Sequence, residues 1–141
     1  MANLVKSIYT GSDVSALGEL TASDTISGDI TLDSDLIVTG RASGTVTSEA
    51  DGSFDLSSGN YFTCIPTGAI NITFTNEKAG QSGLILLTNT TPQLITLDAD
   101  VFLSDTDLTT INTAGTYLLS YFCPDNTNVY LSATPALTEG S

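Results

Sequence analysis

Residues 54–76 read FDLSSGNYFTCIPTGAINITFTN, and the fold turns on how this stretch divides. Apolar and polar residues alternate through Ala69-Ile70-Asn71-Ile72-Thr73-Phe74. That places Ile70, Ile72 and Phe74 on one face of a strand and Asn71, Thr73 and Thr75 on the other. Gly59-Asn60 and Pro66-Thr67-Gly68 break the pattern with residues that suit turns. The stretch holds no histidine and no arginine; Asp55 lies near its start and Glu77 just beyond its end. Strand sequence this free of reactive side chains points to scaffold.

Working outward, the same texture predicts strands near 53–57, 60–65, 68–76, 82–89, 93–97, 108–112, 115–123 and 127–133. Their even spacing, with turn residues between and no helical period, predicts an all-β chain whose residues 53–134 form an antiparallel β-sandwich or jelly-roll-like domain. Leu84-Ile85-Leu86-Leu87 is continuously apolar, so this strand is expected to be covered on both faces, and Tyr117 to Phe122 nearly so.

Upstream, residues 21–52 read as short strand-turn units. Ser27-Gly28-Asp29-Ile30-Thr31 is echoed by Ser43-Gly44-Thr45-Val46-Thr47 sixteen residues later. Two copies fall short of the repeat number a solenoid needs. The inward positions of these units, Ile30, Leu32, Leu36, Val38 and Val46, are few. Such thin units gain stability by stacking on a neighbour or a symmetry mate, which predicts a homotrimer. Residues 1–20 form an N-terminal arm in this reading, with Leu4, Val5, Ile8, Tyr9, Leu17 and Leu20 as partner-docking anchors; the alternative is an ordinary first strand. Residues 135–141 are expected to form an exposed tail.

The composition narrows the function. Only Lys6, Arg41 and Lys78 oppose sixteen acids, giving a net charge of −13 in 141 residues. Nucleic acid and anionic membranes both demand clustered cations, so neither is an expected partner. Acidity of this degree serves solubility in a protein made in many copies, or complements a basic partner surface. A mean hydropathy of +0.18 excludes a disordered acidic chain. No apolar run approaches the roughly 20 residues a membrane-spanning helix requires, and the first residues lack the apolar core and cleavage site of a secretory signal. The sequons at Asn71 and Asn89 then mean no more than Thr-rich strands. Cys64 and Cys123 are too few for a disulfide framework and read as buried, reduced thiols.

Chemistry finds little to work with. The absence of histidine removes Ser-His-Asp and Cys-His catalysis and the common zinc sites. No phosphate-binding glycine motif occurs, and Gly80-Gln81-Ser82-Gly83 is a turn. Asp33/Asp35, Asp98/Asp100 and Asp105/Asp107 are close enough in sequence for paired-carboxylate hydrolysis, but no tryptophan is present to stack a sugar. An aspartate in a β-turn commonly bonds its own backbone. Asp98, Asp100, Asp105 and Asp107 could also gather on one loop for calcium, although the EF-hand pattern is missing. The chain is therefore expected not to be an enzyme and to use no cofactor. A carbohydrate-binding module is a more distant alternative, in which Tyr9, Tyr61, Tyr117, Tyr121 and Tyr130 would have to line the glycan site.

One resemblance joins these pieces. Phe54 to Asn60, Phe62-Thr63-Cys64, Gly68-Ala69-Ile70, Thr73 to Asn76, Ala79 to Gly83 and Leu84-Ile85-Leu86 resemble, in this order, a segment of structural proteins of tailed phages, marine ones especially. Leu4 to Thr10 with Ala16 to Leu20 looks like the start of phage fibre and virion proteins, and Asp35 to Gly40 is similar to fibre-shaft repeats. Related segments continue in a Trp-rich stretch after the apolar strand, whereas this chain reads Thr91 to Leu97 without tryptophan, so the resemblance carries no ligand-binding role across. It implies a virion structural protein, assembled in the host cytoplasm. The expected form is a capsid decoration (cement) or head-fibre protein bound to the major capsid protein or another virion protein; a short tail-fibre or tail-associated protein is the alternative.

Overall fold

The computed structural model describes residues 35–140. Nine strands and one helix follow in order: β1 (Val46–Glu49), β2 (Ser53–Asp55), β3 (Tyr61–Cys64), β4 (Ile70–Thr75), β5 (Ser82–Asn89), β6 (Ile95–Leu97), β7 (Val101–Phe102), α1 (Asp105–Ile111), β8 (Gly115–Phe122) and β9 (Val129–Ala133). The chain is all-β in class, as its alternation predicts.

The first six strands alternate between two sheets. β1, β3 and β5 join β7, β8 and β9 in a six-stranded sheet ordered β1-β3-β5-β8-β9-β7, and β2, β4 and β6 build a three-stranded sheet in that order. Each pair β1/β2, β3/β4 and β5/β6 is one turn of a flattened coil stacked parallel on the last. The turns widen along the chain. Val46 pairs with Tyr61, 15 residues on; Phe54 with Phe74, 20 on; Phe62 with Ile85, 23 on; and Ile70 with Ile95, 25 on. The last turn is closed by β8, which runs antiparallel to β5, and by β9, which runs antiparallel to β8, while β7 pairs parallel with β9.

This corrects the expected antiparallel sandwich or jelly roll. Two sheets do pack on one core, but five of the seven strand pairings are parallel. A period of two fixes which face a side chain takes and is the same for either strand direction. Direction is set by the connections. The short loops after β1, β3 and β5 cross to the other sheet instead of folding back as hairpins. The coil also takes in β1, so Val46 belongs to the β-domain and not to a separate upstream unit. Ile30 and Leu32 lie outside the described residues; Leu36 and Val38, expected to face inward, are 71% and 51% exposed and lie in no strand.

The core lies between the sheets. Phe54, Phe62, Ile70, Ile72, Phe74, Ile85 and Leu87 fill the coil, and Tyr117, Leu119 and Tyr121 of β8 continue it. Phe54 packs edge-on to Phe62 at 5.3 Å between ring centroids and against Phe74 at 5.4 Å, and Phe74 reaches Tyr121 at 5.6 Å. Residues 70, 72 and 74 point inward and 71, 73 and 75 outward, as the opening stretch requires.

A second correction concerns residues 108–112, expected as a strand. They lie in and just beyond α1. Ser104 caps this helix by accepting from Asp107 N at 3.1 Å, and Asp105 and Asp107 sit in the first turn, where carboxylates suit the positive end of the helix. Leu108 and Ile111, three apart, turn one face to the core. The β-branched run Thr109-Thr110-Ile111 imitates a strand; the Ser104 cap four residues before Leu108 decides for helix. Asn112 then holds helix and sheet together. Its Oδ1 accepts from Ile95 N at 2.7 Å while its Nδ2 donates to Ile95 O at 3.0 Å and Leu108 O at 2.9 Å. The side-chain amide thus takes the place of a further strand beside β6.

Candidate interaction face

The two sheets differ in what they show to the outside. On the three-stranded sheet the outward positions are Ser53, Asp55, Asn71, Thr73, Thr75 and Thr96, all polar. That is how a sheet facing water is written.

The outer face of the six-stranded sheet reads otherwise. Its cross-strand rows follow from the register. One row runs Val46, Tyr61, Leu84, Ser120, Ser132; the next Ser48, Thr63, Leu86, Leu118. On the other side lies Ser82, Phe122, Tyr130, Phe102, and at the far end of β5 Thr88 stands opposite Thr116. None of these fifteen outward residues carries a charge, in a chain whose net charge is −13. Eight are apolar or aromatic. Tyr61 is 41% exposed, Leu84 38%, Leu86 37%, and Phe122 and Tyr130 each 50%.

The expectation that Leu84 to Leu87 is covered on both faces is corrected here. Ile85 and Leu87 are buried, while Leu84 and Leu86 stand on the open face. A run of four apolar residues in a strand can mean two covered faces or one covered and one open to a partner, and sequence cannot separate them.

Local geometry makes the face regular. Phe102 and Tyr130 stack at 4.7 Å between centroids and 14° between planes, each ring shielding one face of the other. At the other margin the Tyr61 ring lies over Gly44, where a Cβ would come within 2.8 Å of its Cε2. Ser120 and Ser132 hydrogen-bond to each other across β8 and β9 at 2.7 Å.

Behind the face a polar knot fixes β3, β5 and β8. The Asn60 carbonyl accepts from Leu84 N at 3.0 Å and from the Tyr121 hydroxyl at 3.3 Å, and Gln81 Nε2 donates to Asn60 Oδ1 at 2.8 Å and Leu56 O at 2.9 Å. Burial pushes the Tyr121 phenol up to about 12, with Cys123 and Tyr61 adding to the shift, and pushes the Cys64 thiol up to about 11. Both cysteines are free and buried. Asp55 is held below the usual carboxylate range first by Asn76 and then by Ser57, and Asp125 by Asn128 and Thr127. These two carboxylates shape turns.

The residues singled out in the sequence are distributed as follows. The docking anchors Leu4, Val5, Ile8, Tyr9, Leu17 and Leu20 lie outside the described residues, as does Asp33. Of the tyrosines proposed for a glycan site, Tyr117 and Tyr121 are core residues, while Tyr61 and Tyr130 share the uncharged face. Asp105 and Asp107 serve the start of α1, and Asp98 accepts from Ala99 N. Among the described residues no three His, Cys, Asp or Glu side chains gather as a metal site would need. Phe102 and Phe122 were not foreseen. The signal for Phe122 is present, since alternation through Tyr117-Leu118-Leu119-Ser120-Tyr121-Phe122 sends it opposite Tyr121; Phe102, in a two-residue strand, gives none.

The chain matches no family model and shows no significant similarity to a curated protein or to a solved structure. Among the described residues, no helix is long and apolar enough to cross a membrane.

Proposed function

We propose that the chain is a non-catalytic structural protein of a tailed-phage virion, of the capsid-decoration (cement) or head-fibre type, working as a homotrimer. The observation that carries the reading is the contrast between the two outer faces: one sheet is finished for water, the other is uncharged, broad and half apolar, as a surface intended for contact is. The order of phage-like motifs from Phe54 to Leu86 supports the virion setting. Residues 1–20, with their apolar anchors, attach the protein to the shell in this reading.

The test is localisation on particles of a phage that encodes the chain, by antibody labelling and electron microscopy. Label on the head is the expected result; label on the tail moves the protein to the tail-fibre type, and particles without label overturn the reading. A chain lacking residues 2–20 should keep its β-sheet circular dichroism and lose virion binding. Unchanged binding would remove the arm's role, and loss of the fold would move the segment into the core.

A second reading, a carbohydrate-binding module, draws on one observation: Tyr61, Phe102, Phe122 and Tyr130 are exposed on the same face. Binding on a glycan array that is lost with Tyr130→Ala would favour it.

A further inference from the structure

We infer that the outer face of the six-stranded sheet is the surface through which copies of this chain associate, so that its occupant is a second copy. The inference rests on the proposed self-assembling role and gives that role a place on the molecule.

Charge decides the occupant. A foreign basic partner would be recognised through carboxylates, and this face has none. A nucleic acid would need cations, and this face has none. For another copy with net charge −13, contact through acidic surface opposes like charges. An outward face of fifteen uncharged residues is where two such chains meet without burying or opposing a carboxylate. The polar outer face of the three-stranded sheet shows that exposure alone does not explain apolar residues at Leu84, Leu86, Phe122 and Tyr130.

The size is adequate. Each outward position covers about 30 Å² of sheet, from strand spacing near 4.8 Å and two residues at about 3.4 Å each. Fifteen positions give a footprint on the order of 500 Å², approaching the roughly 800 Å² per partner of a stable interface. The stacked pair Phe102 and Tyr130 is preordered, so little side-chain freedom is lost when the face is covered.

The experiment is sedimentation velocity of the full-length chain across micromolar concentrations, at low and high sodium chloride. The wild type should assemble, and more tightly at high salt, because screening weakens repulsion between acidic chains while the uncharged contact is unaffected. Leu84→Asp with Leu86→Asp places charge at the centre of the face and should weaken association at least about 100-fold with unchanged circular dichroism, an effect of the size expected of central interface positions. Ser53→Asp with Asn71→Asp adds the same charge to the other sheet and should leave assembly intact. Should the leucine pair fail to fold, Phe122→Ser with Tyr130→Ser, both half exposed, gives the same reading. A monomeric wild type, assembly that weakens with salt, or face variants that still assemble would each overturn the inference. Failure of virion labelling would leave it standing, since the two readouts are separate.

Discussion

Gly83 and Tyr121 stand opposite each other in the β5–β8 pair, and the tyrosine hydroxyl fills the space that a side chain at position 83 would need. A Cβ there would lie 2.6 Å from Tyr121 Oη and would also run into the Asn60 carbonyl oxygen. That oxygen is held by Leu84 N and the Tyr121 hydroxyl, so neither neighbour can move without breaking the knot. Gly83→Ala should therefore cost roughly 1–3 kcal/mol, as overpacking does. Gly68→Ala, where nothing lies within 4 Å, is the matched control and should change stability by less than about 0.5 kcal/mol. Urea unfolding followed by circular dichroism compares the two; equal midpoints would contradict the packing described.

The aromatic contacts between coil turns give a second expectation. Phe54 is 1% exposed and touches rings on both the turn above it and the facing sheet. Phe54→Ala should cost about 3–5 kcal/mol through lost burial and the cavity left behind. Leu84→Ala, on the open face, should cost a monomer less than about 1 kcal/mol. Similar losses at the two positions, measured at a dilution that prevents association, would mean that Leu84 is buried by the chain itself.

Much of this fold was legible in the sequence, and what was missed follows a rule. Side-chain alternation from Ala69 to Thr75 marked inside and outside correctly because burial acts locally on each residue. Strand direction was not legible. Val46 pairs with Tyr61 and Phe54 with Phe74 because the loops between them cross sheets, and loop direction leaves no two-residue period to read. At Thr109 to Ile111 local propensity favoured a strand, and the Ser104 cap with the core contact of Ile111 overrode it. The interaction face was half legible: its residues alternate correctly, but whether Leu84 and Leu86 meet protein or water depends on partners no single chain encodes.

Asn112 supports a third prediction. Its amide bonds both backbone groups of Ile95 and also donates to the Leu108 carbonyl in the last turn of α1. Asn112→Ala leaves these groups partly buried without partners and should cost about 1–3 kcal/mol. Hydrogen exchange should show the loss first at Ile95 N, whose protection depends on Asn112 Oδ1. Full protection of that amide in the variant would show that β6 is held some other way.

The fourth prediction concerns the thiols and alkaline pH. Cys64 and Cys123 are buried and free, and burial favours the neutral form of each. The thiolate is the form that alkylates, so iodoacetamide at pH 8 should leave the folded protein unmodified and add two groups once urea unfolds it. A disulfide would leave the unfolded chain unmodified as well. The same burial sets a pH dependence. Folding raises the Cys64 thiol from about 9 to about 11 and the Tyr121 phenol from about 10 to about 12. Above pH 9 the unfolded chain therefore releases protons that the folded chain still holds. Stability from these groups is fully present below pH 9 and is lost as pH rises through 11 and 12. Cys64→Ala removes the earlier of the two titrations, so its urea midpoint, lower at pH 8, should fall less steeply between pH 9 and 11. An identical slope in the variant would mean that the thiol ionises as readily in the folded chain as in the unfolded one.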